Sequence, residues 1–354
     1  MNTMTKRTSV ISAVILFVAL AAITAAIFLV GASRFTGAIT GALVYFALGI
    51  VVWYFIHNAL HEIFHAVFCV AFYGRVVSVA FCGLYFRFAN GFKIGFAVES
   101  GKAGWTEFIC KRPERADLTL RASLLGGLFG TVTTLLSAVL IYLFNQGFFA
   151  HYFVLSGIIP VLYSFAVNFI LGFADRDGRL LSLSEKGRRA FASAAARLET
   201  ESYLAEGKLI KDADPVYMRA IYKDLCDTNG YDYLSALERG DLAAAEKILD
   251  AFEQNDNNAD NGVIDAVTER MFLNCVIKGG AKAVVDERAF SSIDPNDIRV
   301  HFCYRKIKGE HEWCKLLRES YFKACENVFP DGLKKSYQKI GERYLCGEDQ
   351  PKSR

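Results

Sequence analysis

The chain has 354 residues, 53% of them hydrophobic, with 40 Lys+Arg against 37 Asp+Glu and a formal net charge of +3. Residues 1–179 carry 13 basic and 7 acidic side chains and residues 180–354 carry 27 and 30, so no basic block marks a nucleic-acid surface. The nine cysteines, at 69, 82, 110, 226, 275, 303, 314, 325 and 346, are odd in number and contain no Cys-x-x-Cys pair. That argues against a disulfide framework or a zinc ribbon and for a reducing compartment around the soluble part.

The apolar residues are concentrated in the first half. A bilayer core about 30 Å thick needs roughly 20 apolar helical residues to cross it. Residues 10–30 are uncharged and follow Lys6 and Arg7; the run is long for a signal peptide and reads as a signal-anchor helix. Between Phe35 and Gly74 the only charged residue is Glu62. A loop is expected at 31–41, then a tilted span at 42–73. A third span is expected at 122–144, and a fourth at 148–183, bent near Pro160.

Orientation follows from the basic residues. Arg75, Arg87, Lys93, Lys102, Lys111, Arg112 and Arg115 lie between the second and third spans, and Lys186, Arg188 and Arg189 follow the fourth. The other two loops offer only Arg34. Both termini and the 74–119 loop are therefore expected in the cytoplasm, with a bacterial cytoplasmic membrane as the simplest host.

The second span contains His61-Glu62-Ile63-Phe64-His65, an H-E-x-x-H pattern. On a helix, positions i and i+4 share a face, so both imidazoles can reach one zinc ion while Glu62 stands beside its bound water as general base. An ionised group in a span costs roughly 2.5–3.5 kcal/mol on insertion scales, which marks Glu62 as a functional residue rather than a packing one. His57, four residues before His61, shares the face and is expected beside the ligands or in place of one.

The fourth span ends Asn168-Phe169-Ile170-Leu171-Gly172-Phe173-Ala174-Asp175-Arg176-Asp177-Gly178. With H-E-x-x-H in an earlier span, this resembles the site-2-protease family of intramembrane zinc metalloproteases, which follows that pattern with an N-x-x-P-x-x-x-x-D-G type motif. The resemblance covers residues 42–184. It implies Asp177 as the third zinc ligand and Asn168 as a group orienting substrate or oxyanion. Leu171 stands where the family has proline, and Asp177 lies one residue further from Asn168 than the usual spacing, so Asp175 stays open as the rival ligand. Counted along their helices, His65 and Asp177 both sit roughly 12–14 Å inside the cytoplasmic ends. Gly126, Gly127 and Gly130 at the start of the third span add a close-packing face.

Residues 76–98 alternate with period two around Asn90-Gly91, a hairpin signal. Strands are expected at 76–81, 84–88 and 92–96, forming a small aromatic sheet at the membrane. It would accept an extended substrate as an added strand or anchor at the interface.

Residues 186–346 read as soluble and helical. Residues 234–249 resemble a tetratricopeptide helix–turn–helix, and 297–308 with 311–327 form a second pair, without a clean 34-residue period. This array would bind a protein partner or stabilise the rest.

The expectation is thus a mainly α membrane protein. A signal-anchor helix and loop (1–41) lead into a zinc metalloprotease core (42–184) acting on membrane-protein substrates, followed by a cytoplasmic helical domain (185–354). The rival is a catalytically inactive scaffold of the same fold that recruits partners through its helical half. Metal transport is disfavoured because the remaining spans offer few ligands.

Overall fold

The computed structural model describes residues 3–35, 39–89, 91–96, 103–170, 177–225, 230–254, 264–278 and 294–346. The chain is mostly helical and divides into two compact units, Met1–Ala192 and Ser193–Arg354.

The first unit begins with helix α1 (Thr3–Arg34) and helix α2 (Ile39–Ala71). The loop expected at 31–41 is shorter, because α1 continues through Gly31 to Arg34. Small and hydroxylated residues that signal a turn in water serve as packing positions in apolar helices. Here Gly31 admits the Tyr152 side chain, which a Cβ would displace.

A sheet follows, with strands β1 (Gly74–Phe81), β2 (Leu84–Arg87), β3 (Lys93–Phe96) and β4 (Gly104–Cys110) in the order β3-β2-β1-β4, every pair antiparallel. The expected three-strand sheet thus gains a fourth strand, supplied by the β-formers Trp105, Thr106, Phe108 and Ile109. Cys82 and Gly83 turn β1 into β2 with φ of 50° and 85°, the pair of positive values a tight I′ turn requires. Pairing of Arg87 with Lys93 leaves 88–92 as the β2–β3 connection, within which Asn90 lies outside the described residues.

Helix α3 (Ala116–Phe144) starts six residues before the expected span, after a turn opened by Pro113. Its buried positions include Thr119, Ser123, Gly126, Gly127, Gly130, Thr131 and Thr134, whereas Leu125, Phe129, Leu136, Leu140 and Leu143 are exposed. Small and polar inside with large and apolar outside is the inverse of a soluble helix, and it suits a hydrocarbon solvent. Four helical segments, Ile15–Arg34, Ile39–Ala71, Pro113–Phe144 and Ala150–Asn168, are long and apolar enough to cross a membrane.

The fourth, expected at 148–183 with a bend near Pro160, turns at Ser156–Gly157. It comprises a π turn at Ala150–Val154, helix α4 (Ile158–Phe165) with Pro160, and a second π turn at Ala166–Ile170; residues 171–176 lie outside the description. Helix α5 (Asp177–Leu181) is brief, and helix α6 (Glu185–Ala205) carries the boundary between the units. His151 ties three helices together: Nε2 lies 2.8 Å from the Ile27 carbonyl of α1 and Nδ1 lies 3.2 Å from the Tyr142 hydroxyl of α3.

The second unit continues with α7 (Val216–Tyr222), α8 (Gly230–Arg239), α9 (Leu242–Gln254), α10 (Ala266–Lys278), α11 (Pro295–Ile307), α12 (His311–Glu326) and α13 (Asp331–Leu345). The α8–α9 turn closes on Gly240 at φ 81°, with Asp241 N donating to Ala236 O and Gly240 N to Leu237 O. The core gathers Tyr233, Leu234, Leu237, Leu249, Phe272 and Phe302 around a wholly buried ion pair, in which Arg299 Nη2 lies 2.6 Å from both oxygens of Glu269.

Candidate metal centre

Helix α2 buries Trp53, His57, His61 and His65 at a spacing of four, one continuous stripe of the helix. Asn58 and Glu62 are buried beside it. The stripe faces α3, and the approach is close because Gly127 lies under the imidazoles. A Cβ there would overlap both the His65 and His61 rings.

His61 Nε2 and His65 Nε2 are 3.1 Å apart, and Asp177 Oδ2 lies 3.3 Å from the first and 3.2 Å from the second. These three side chains form the one group able to hold a metal ion among the described residues. A tetrahedral zinc with bonds of about 2.0–2.1 Å has ligand–ligand edges of about 3.3–3.4 Å. The triangle therefore has the size of one face of such a site, and no fourth ligand joins it among the described residues.

The outer hydrogen bonds fix which ring nitrogens point inward. Thr131 Oγ1 donates to the Gly127 carbonyl (3.1 Å), so its lone pair accepts from His61 Nδ1, also at 3.1 Å. Ser123 Oγ, 3.3 Å from the His65 carbonyl and 3.4 Å from His65 Nδ1, does the same for the second ring at longer range. With the Nδ1 protons directed to α3, both Nε2 atoms turn lone pairs toward the buried Asp177 Oδ2, which has no hydrogen-bond donor assigned to it among the described residues. Two imidazole nitrogens and a carboxylate oxygen converging in this way are a donor set suited to a divalent cation.

Glu62 is buried at 7% exposure on the flank toward the sheet. Its Oε2 accepts from Thr106 Oγ1 at 2.8 Å.

The structure thus brings together His61, His65 and Asp177. Asp177 stands at the start of α5, and the stretch of the expected span at 171–176 lies outside the described residues. The rival Asp175 lies outside the described residues. Asn168 donates from Nδ2 to Ser164 Oγ (3.1 Å) within its own helix. His57 is fully buried with its ring 5.8 Å from that of His61, and neither of its nitrogens has a hydrogen-bond partner among the described residues.

Sequence reasoning passed over Ser123, Thr131, Gly104 and Thr106. The α3 pair had a signal: Thr119, Ser123, Gly127 and Thr131 recur every four residues, a small polar stripe on an apolar span. No protein-family model, no curated protein and no solved structure matches the chain.

Proposed function

We propose that the protein is a zinc-dependent endopeptidase of the site-2-protease kind, cutting peptide bonds of membrane-protein substrates within or beside the bilayer. The observation that carries this reading is the triangle of His61 Nε2, His65 Nε2 and Asp177 Oδ2, with edges of 3.1–3.3 Å, beside a buried glutamate. Two neutral imidazoles and one carboxylate suit catalytic zinc. When bound, zinc would lower the pKa of water toward about 7 and polarise the scissile carbonyl.

Glu62 takes the proton from the attacking water and returns it to the leaving amine. Thr131 and Ser123 hold the two rings in the tautomer that keeps Nε2 free. The carboxylate of Asp177 balances part of the ion's charge inside an apolar surround.

Two features of the sheet suit an extended apolar substrate. Cys82 N donates to Ala103 O, and the alternation of an antiparallel ladder then turns the main-chain groups of Gly104, Thr106 and Phe108 away from β1. A substrate segment added along that edge would run past Glu62. Separately, Ile63, Ala66, Val67 and Val70 of α2 with Val76, Val79 and Phe81 of β1 and Phe86 and Phe88 at β2 line a groove of about 560 Å³. Such a groove accepts aliphatic or aromatic side chains.

In this reading both termini and the sheet lie on the cytoplasmic side, where Arg75, Arg87, Lys111 and Arg112 are retained. The second unit serves as a tetratricopeptide-like partner-binding array, a role supported by the α8–α9 helical pair about Gly240.

The test is Glu62→Gln in the full-length protein. Zinc stoichiometry should match wild type while comparative proteomics of membranes shows the substrate accumulating uncut. Wild-type protein purified without stoichiometric zinc would point instead to an inactive scaffold.

A further inference from the structure

We infer that Thr106 and Gly104, on the edge strand β4, are positioning residues for the Glu62 carboxylate; this deepens the peptidase reading and rests on it. Thr106 Oγ1 donates to Glu62 Oε2 at 2.8 Å and lies 3.1 Å from the Glu62 carbonyl oxygen, so the hydroxyl is seated against the residue whose carboxylate it holds. Threonine is stiff at χ1, which keeps that hydroxyl aimed at its acceptor. Two residues away on the same face, a Cβ at Gly104 would stand 2.7 Å from both the Ala80 carbonyl oxygen and Glu62 Cγ, and 2.8 Å from Oε1. Glycine is therefore the residue that leaves space for the carboxylate to lie along the strand.

The consequence is a division of labour between the two oxygens. Oε2 is occupied by the Thr106 hydroxyl, and Oε1, against the Gly104 backbone, is left to exchange the proton. A carboxylate accepting a charge-assisted hydrogen bond is held more firmly than one solvated by mobile water. Because β4 also turns the main-chain groups of Gly104 and Thr106 outward, the strand that would receive substrate is the strand that aims the base.

The experiment uses purified full-length protein loaded with Co²⁺ and titrated with acetohydroxamic acid, read by the visible absorption of the cobalt. A hydroxamic acid binds a divalent ion as its anion and passes its proton to a neighbouring carboxylate, so its affinity reports how Glu62 is held without any substrate being known. Thr106→Val should bind hydroxamate about 10- to 100-fold more weakly with cobalt stoichiometry unchanged, and Thr106→Ser should stay within about threefold of wild type.

Equal affinity in the valine variant and wild type overturns the inference while leaving the metal centre standing. So does a serine variant as impaired as the valine one, or loss of cobalt from the valine variant, which marks a structural role. Wild-type protein that takes up no cobalt overturns the metal-centre reading, and this inference with it.

Discussion

Thr131 Oγ1 lies 3.1 Å from His61 Nδ1 while donating its own proton to the Gly127 carbonyl, so a hydroxyl on α3 dictates the tautomer of a ligand on α2. Partners of this kind typically contribute 10- to 100-fold to metal affinity. Thr131→Val should therefore weaken zinc binding by about that factor, measured by competition with a chromophoric chelator. Thr131→Ser should bind like wild type. An unchanged affinity in the valine variant would show that the ring is oriented by packing alone.

Asp177 and Asp175 separate cleanly by metal content. Asp177→Asn replaces the charged oxygen facing both imidazoles with a neutral amide, and purified protein should lose stoichiometric zinc. Asp175→Asn should retain it. The opposite pattern would transfer the ligand role to Asp175.

The buried Arg299–Glu269 pair sets the stability of the second unit. Tyr233 donates to Glu269 Oε2 at 2.8 Å, and Asn296 Oδ1 accepts from Arg299 Nη2 at 3.2 Å, while Arg299 Nε and Nη1 are buried without hydrogen-bond partners among the described residues. Glu269→Gln leaves the guanidinium uncompensated and should cost about 3–5 kcal/mol. Urea titration followed by hydrogen exchange of peptides from α10 and α11 would measure it. A cost below about 1 kcal/mol would mean that water reaches the pair.

His301 makes the same unit sensitive to acid. Burial holds its imidazole at about 4, below the usual 6.5, with Arg305 adding to the effect and Asp297 opposing it. The unfolded chain thus binds the extra proton first as pH falls. The stabilisation is complete above about pH 6.5 and is lost progressively toward pH 4, by up to about 3 kcal/mol. Hydrogen exchange of α11 peptides should accelerate across that window, and His301→Asn should flatten the dependence. An unaltered profile in that variant would place the acid sensitivity elsewhere.

The local features were legible where a short pattern has one physical meaning. Long uncharged runs can only be satisfied as helices in an apolar solvent, so four spanning candidates could be found by counting. H-E-x-x-H places two imidazoles on one face by helical geometry alone. The helix pair about Gly240 followed from a residue able to take φ of 81°.

Other features escaped a linear reading because their cause lies on another element. Gly31 and Gly127 look like weak helix positions until Tyr152 and the two imidazoles are seen to need their space. The bend of the fourth span was marked by Pro160, whereas its π turns at Ala150–Val154 and Ala166–Ile170 have no such marker. Strand β4 lies beyond the hairpin signal and pairs back to β1 across the whole sheet.

The sequence by itself determined which side chains could meet at a metal site, namely His61, His65 and the acidic residues after the fourth span, since residue type and spacing on one helix are local facts. Only the tertiary structure decided that Asp177 closes the triangle, that Thr131 and Ser123 select the tautomers, and that β4 lies against Glu62. Those are distances between groups 44 to 116 positions apart along the chain, and packing of α2 against α3 and the sheet sets them.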